Sequence, residues 1–238
     1  TECLSLERKS SGLKAVPRHT MGLKVAGKMH GEPMLRPCLS NWTTPMTTNP
    51  WQHIILKTMR RIGILSDTHS YWDDRYLIHF AECDEIWHAG DICSTEIIER
   101  LSAPFPTDGS TPPRRRIVRA VCGNCDGGDL RHMFPETLRW RCENVEVLMK
   151  HIGGYPGRYD RSVIGQLYSN PPQLFISGHS HILKVMYDKT LGTLHINPGA
   201  AGIQGWHKER TLIRLTIDGS KMRDMEIITL AERKQAEQ

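Results

Sequence analysis

The chain has 238 residues, of which 39% are hydrophobic and 24% charged, with a net charge of +5 and seven cysteines. That length holds one well-buried domain, or one domain and a tail. No apolar run approaches the roughly 18 residues of a membrane-spanning helix, so no membrane is expected as a partner. The odd, scattered cysteines argue against a disulfide framework and for a reducing, cytoplasmic setting.

The positive charge is unevenly placed. Before Met59 there are eight Lys/Arg against three Asp/Glu, and from Met59 onward there are 23 of each. The body lacks the basic footprint of a nucleic-acid binder, so nucleic acid is not an expected partner. Arg114-Arg115-Arg116 reads as a solvated loop beside Pro112-Pro113. Cys122-x-x-Cys125 has the spacing of a redox or zinc pair but no distal match, which makes that reading weak.

Residues 1–58 are rich in Pro, Thr, Ser and Met and show no sustained period. They are read as a non-native or disordered extension, with Met59 as the natural start and 59–238 as the domain. A transit peptide ranks lower, since no amphipathic helix is visible. From there the pattern alternates. Residues 62–65 form a strand and 72–80 have helical spacing, with Leu77 and Phe80 on one face. Residues 85–89 form a short strand, and Ser94 caps a helix that buries Ile97, Ile98 and Leu101. A Pro-rich loop over 104–113 precedes strands at 117–122, 145–149 and 174–177. The last third reads as strands at 183–187, 193–196, 212–217 and 225–230, with hairpins at Leu191-Gly192 and Asp218-Gly219. The expected class is mixed α/β, two packed sheets with helices outside.

Five fragments sit at the ends of these strands: Asp67-Thr68-His69, Gly90-Asp91, Gly123-Asn124-Cys125-Asp126, His151, and Gly178-His179-Ser180-His181. They offer Asp67, Asp91, Asn124, His69, His151, His179 and His181, the ligand types of a two-metal phosphoryl-transfer site. The mixture of carboxylate and imidazole suits two divalent ions of the Mn, Zn or Fe type better than Mg or Ca alone, with Mn first and Ni also accepted. In Asp67-x-His69 and His179-x-His181, extended backbone would point both side chains the same way, each pair toward one metal. Gly90, Gly123 and Gly178 are read as sharp bends before ligands. Taken singly, each residue has a plainer role. His88 and His195 read as packed or surface imidazoles, Asp73 and Asp74 as helix N-terminal acids, and Asn124 as a turn residue.

In that order the fragments resemble the calcineurin-like metallophosphoesterase superfamily, whose signature runs D-x-H, G-D, G-N, H, G-H-x-H. The resemblance spans residues 59 to about 230. It is similar to the small YfcE-like branch, which includes the retromer scaffold subunit, through Met59-Arg60-Arg61-Ile62-Gly63-Ile64, Gly123-Asn124-Cys125-Asp126 and Asn197-Pro198-Gly199. It implies a four-layer α/β/β/α sandwich. It places Asp67, His69 and His181 on one metal, Asn124, His151 and His179 on the other, and Asp91 between them. Asp91, Asn124 and His69 would be the catalytic residues, and a metal-bridging hydroxide would attack phosphorus without a covalent enzyme intermediate.

Cys125 departs from the family, where His commonly follows Gly-Asn. A thiol brings no cation and is a poorer acid for the leaving oxygen, which favours diesters or activated esters. A second departure is His151-Ile152-Gly153-Gly154, where many relatives have Gly directly after His. Cys125 and Arg158 are candidate substrate contacts. The expected substrate is a small-molecule or nucleotide-like phosphoester, and homo-oligomerisation is left open. The alternatives are a non-catalytic binding scaffold on the same fold and a nuclease of the same superfamily.

Overall fold

The computed structural model describes residues 59–104 and 115–232. Residues 1–58, read as an extension, and most of the loop expected over 104–113 lie outside the described residues.

The front half runs β1 (Met59–Leu65), α1 (Arg75–His79), β2 (Glu85–His88), α2 (Thr95–Ser102) and β3 (Ile117–Ala120). Then come α3 (Gly128–Met133), β4 (Thr137–Cys142), β5 (Val145–Lys150), the short ribbon β6 (Gly154–Tyr155) and β7 (Arg158–Tyr159), α4 (Arg161–Ser169) and β8 (Leu174–Ile176). The chain closes with β9 (Leu183–Asp188), β10 (Thr193–Pro198), β11 (Glu209–Asp218) and β12 (Lys221–Glu232).

Two five-stranded mixed sheets result. The first has the order β12-β11-β1-β2-β3, and the second β4-β5-β8-β10-β9. In the first, β1, β2 and β3 are parallel and β11 returns antiparallel beside β1. In the second, β5, β8 and β10 are parallel, with β4 and β9 antiparallel at the edges.

The cores define the layers. Ile62, Ile64, Trp87 and Ile213 from the first sheet meet Val147, Met149, Ile176 and Ile196 from the second. Trp87 and Trp140 cross edge-to-face there, with ring centres 4.8 Å apart, a preferred aromatic geometry. On the outer face of the first sheet, Tyr76 and Phe80 with Ile97, Ile98 and Leu101 pack against Leu65, Ile86 and Leu212. On the outer face of the second, Val163 and Leu167 of α4 pack on Leu148 and Phe175. The four layers are helix, sheet, sheet, helix, as the sequence implied. Each buried aliphatic or aromatic side chain contributes about 1.5–3 kcal/mol.

α2 forms as expected, with Ser94 Oγ accepting from the Glu96 amide at 3.2 Å. Other readings need correction. α1 is shorter than 72–80, and Tyr76 and Phe80, not Leu77 and Phe80, fill its buried face. Asp74 stands at the N-cap but makes no side-chain cap bond. Asp73 does serve the helix N-terminus, accepting the Arg75 amide at 3.0 Å, and is in addition an ion-pair residue held by Arg75 and Arg210. Arg116 is not solvated: it is buried and donates to the Ala81 carbonyl at 3.0 Å. α3, β4, the β6–β7 ribbon and α4 had no counterpart in the sequence reading.

Candidate metal centre

The parallel strands of both sheets point their carboxyl ends to one place, where α/β sheets carry their ligands. Asp67 follows β1, Asp91 follows β2, Asn124 follows β3, His151 follows β5 and His179 follows β8. Hydrogen bonds tie these loops together. The Asp67 amide donates to Gly90 O at 2.9 Å, His69 N to Asp91 O at 3.0 Å, and Gly178 N to His151 O at 2.9 Å.

The backbone is strained here. Nine described non-glycine residues have positive φ, and seven lie in these loops: Asp67, His69, Ser70, Asp91, Cys93, His179 and His181. Such conformations cost on the order of 1–3 kcal/mol each and gather at functional sites. They also correct the sequence argument. Asp67 (φ 55°) and His69 (φ 47°) reach one cluster through left-handed turns, not along extended backbone.

The ligand atoms of Asp67, His69 and His181 lie within 4.8 Å of one another, as do those of Asp91, His151 and His179. His179 and His181 therefore belong to different groups, not to one metal as alternation along a strand suggested. The groups interlock. Asp67 Oδ1 is 3.2 Å from His181 Nε2 and 3.9 Å from His151 Nε2, while Asp91 Oδ2 is 3.2 Å from His151 Nε2 and 3.8 Å from His69 Nε2. His69 and His181 face each other at 3.3 Å between their Nε2 atoms.

Supporting bonds aim these atoms. His151 Nδ1 meets the Ala89 carbonyl at 2.8 Å, which fixes the Nδ1–H tautomer and leaves the Nε2 lone pair facing inward. Asp91 Oδ1 accepts the Cys125 amide at 2.8 Å and Asp67 Oδ2 accepts the His179 amide at 3.2 Å, so the other oxygen of each carboxylate faces the cluster. Asp67 Oδ1 and His151 Nε2 are buried with no hydrogen-bond partner. A buried carboxylate oxygen and imidazole nitrogen left this way fit a bound cation, and the N/O donor set suits transition metals.

Charge follows the same geometry. Burial alone would raise the Asp91 carboxyl, but the His151 imidazole and the Cys125 amide outweigh it and hold it below the usual range. Burial lowers His69, while the adjacent Asp67 carboxylate raises His181. Burial opposes protonation of His151, yet its carboxylate neighbours leave its pKa raised. Burial pushes the Cys93 thiol up to about 12 and also raises Cys125, with Asp91 next. These thiols stay protonated near neutrality and are poor nucleophiles.

Asn124 is exposed and donates from Nδ2 to Cys125 Sγ at 3.3 Å. It shares a cavity of about 350 Å³ with His151, Arg131 and Lys150. Cys125 Sγ lies within 4.8 Å of the ligand atoms of His69 and Asp91. Arg158 is exposed and lines a larger cavity, about 650 Å³, with His179, Tyr155 and Lys184. Of the three glycines read as sharp bends only Gly90 has positive φ, +99°, and a Cβ there would meet His151 Nδ1 at 2.6 Å.

Two positioning residues escaped the sequence reading. Asp126 is buried and accepts from Cys93 N and Gly123 N, each at 2.7 Å, clamping the loops after β2 and β3. His88 accepts the Gly90 amide at Nδ1 (3.2 Å) and reaches Thr68 Oγ1 from Nε2 (3.0 Å). A signal for Asp126 was present in the Gly-Asn-Cys-Asp fragment, but its burial was not.

Residues 59–220 match the family model of the calcineurin-like phosphoesterase superfamily domain. The chain belongs to the calcineurin-like metallophosphoesterases. It is 31% identical over 178 residues to a probable metallophosphoesterase of Methanothermobacter thermautotrophicus, covering 70% of this chain and 91% of that protein. Among solved structures, an archaeal phosphodiesterase superposes with a TM-score of 0.54 at 20% identity, over 71% of this chain and 99% of that one. Vps29 of Entamoeba histolytica complexed with zinc gives 0.51 at 17% identity, over 71% and 98%. These likenesses establish the shared fold. Among the described residues no helix is long and apolar enough to cross a membrane.

Proposed function

We propose that this metallophosphoesterase is a phosphodiesterase that uses two divalent metal ions to hydrolyse a small-molecule or nucleotide-like ester. The observation that carries it is the pair of interlocked ligand groups around Asp67 Oδ1 and His151 Nε2, both buried and without a hydrogen-bond partner. Asp67, His69 and His181 would hold one ion; His151, His179 and Asn124 the other; Asp91 would face both. When bound, such ions supply charge neutralisation at phosphorus and a water-derived nucleophile at neutral pH.

The chain's own residues do the rest. Asp91 and Asp67 each spend one oxygen on a backbone amide, which fixes the direction of the other. His151 is locked as the Nδ1–H tautomer by Ala89. Arg158, Arg161 and Lys184, with Asp160 the one acid among them, line the cavity beside His179, which would draw an anionic ester. No cation occupies the Cys125 position, so a basic leaving oxygen gets no protonated imidazole there, which favours diesters and activated esters over alkyl monoesters. The seven ligand candidates and the strained turns that seat them favour an enzyme over a scaffold on the same fold. The five described cysteines are all free, which supports a reducing, cytoplasmic setting.

The test is metal analysis after Mn reconstitution, with a screen of phosphomonoesters, diesters and cyclic nucleotides. About two metals per chain and higher kcat/KM on diesters are expected. Fewer than one metal per chain, or a preference for alkyl monoesters, would overturn the reading.

A further inference from the structure

Trp206 is 100% exposed, with Ile203 (54%) close by in the chain and Ile182 (60%) on the same cavity also open to water. An indole is the largest apolar group a chain carries, and leaving one wholly in water forfeits the stabilisation its burial would give. Its position is specific. Trp206 lines a cavity of about 320 Å³ whose other walls include the ligand candidates His179 and His181, with Ile182. That volume is at the lower end of small-ligand sites.

The segment carrying Trp206 is pinned against the metal centre on both sides. The Gly202 amide donates to Asp67 O at 3.0 Å, and His207 Nε2 lies 3.1 Å from Gly202 O. The His207 ring packs edge-on against His181 at 5.4 Å between centres. Between them, Gly205 (φ +108°) comes so close that a Cβ would lie 2.3 Å from His181 Nδ1. Trp206 is thus flanked by two residues that touch a ligand-candidate imidazole.

We infer that Trp206 is a specificity residue, whose indole stacks on an aromatic, nucleoside-like substituent of an ester whose phosphate lies at the Asp67–Asp91 cluster. This rests on the phosphodiesterase reading and names its substrate class. A diester sends two substituents away from phosphorus. Two cavities open from His179, one walled by Trp206 and one of about 650 Å³ walled by Arg158 and Lys184. The flat apolar face suits a base, and the cationic cavity suits the second, more polar arm. Stacking on an aromatic side chain tolerates any base and is worth roughly tenfold or more in affinity.

The experiment compares thymidine 5′-(4-nitrophenyl) phosphate with methyl 4-nitrophenyl phosphate on the Mn-loaded full chain. Trp206→Ala should lower the ratio of their kcat/KM values about tenfold, mainly through KM for the nucleoside ester, and Trp206→Phe should keep most of the ratio. In parallel, calorimetry with thymidine 5′-monophosphate and inorganic phosphate reads binding without turnover. Trp206→Ala should weaken the nucleotide about tenfold relative to phosphate. An unchanged ratio in both measurements, or equal losses on both esters and both ligands, overturns the inference and leaves the indole to a protein partner or to structure. If neither ester is hydrolysed by the parent, the phosphodiesterase reading fails, while the calorimetric comparison still decides the role of Trp206.

Discussion

Gly123 leaves room for Asp91: a Cβ on Gly123 would stand 2.1 Å from Asp91 Oδ1 and 2.4 Å from the Asp91 amide nitrogen. The glycine is there for close approach, not for a left-handed bend, since its φ is not positive. No flexible side-chain tip could yield, because one of the atoms met is backbone and the carboxylate is itself held by the Cys125 amide.

Gly123→Ala should therefore displace Asp91 while leaving the cores between the layers intact. A shift near 1 Å in a reacting centre can cost about a hundredfold in rate. The expected outcome is a fall in kcat/KM of that order and weakened Mn binding, with melting temperature changed by only a few degrees. A variant with parental turnover would show that Asp91 can move without consequence.

Asp91→Asn keeps the shape but removes the charge that faces both His69 and His151. Loss of one preorganised electrostatic group typically costs 10²–10³ in rate, so activity should fall at least about a hundredfold. Metal content should drop with it. Retained turnover at full metal occupancy would remove Asp91 from the centre of the site.

What the sequence made legible follows from how locally each feature is encoded. All strands of the two sheets but β4 were readable, the parallel ones because apolar runs such as Ile62–Ile64 and Leu174–Ile176 lead into Gly, Asp or His. The ligand candidates were readable because those ends recur in one order. α4 was missed although Asp160 caps it and Val163 and Leu167 stand one turn apart, since its exposed Ile164 and Tyr168 blur the stripe. β4 alternates Leu138, Trp140 and Cys142 with arginines, a signal present but masked by its charge. The left-handed turns at Asp67 and His179 had no local signal, because tertiary hydrogen bonds, not glycine, hold them.

Asp73 is predicted to matter for stability rather than turnover. The Arg75 guanidinium, and Arg210 with it, hold its carboxyl well below the usual range against the cost of burial. Arg210 Nη1 sits 2.9 Å from Asp73 Oδ2, both side chains being under a tenth exposed. Asp73→Ala would strand the Arg210 charge, and breaking a buried pair this way costs about 3–5 kcal/mol. Urea denaturation should show a loss of that order. Asp73→Ala combined with Arg210→Met should recover part of it, and a single variant within about 0.5 kcal/mol of the parent would refute the ion-pair account.

Acid should destabilise the fold through His195. This imidazole is fully buried on β10, against the Phe175 ring at 5.5 Å and with Ser177 Oγ 3.0 Å from Nε2. Ser177 gives its proton to the Gly154 carbonyl at 3.2 Å, so the imidazole donates from Nε2. Burial, with the Lys184 charge second, lowers its pKa from 6.5 to about 4. The sign follows: between those values the unfolded chain binds the proton and the folded one does not. Stability is therefore fully present above about pH 6.5, falls as pH drops, and is lost by about pH 4. A shift of that size corresponds to about 3 kcal/mol. His195→Gln carries no titrating group, so its loss of stability between pH 7.5 and 4 should be smaller than the parent's by about that amount. Urea midpoints at pH 7.5, 5.5 and 4 measure it. Equal pH dependence in both proteins would mean that His195 takes up its proton without cost, and that acid sensitivity arises elsewhere.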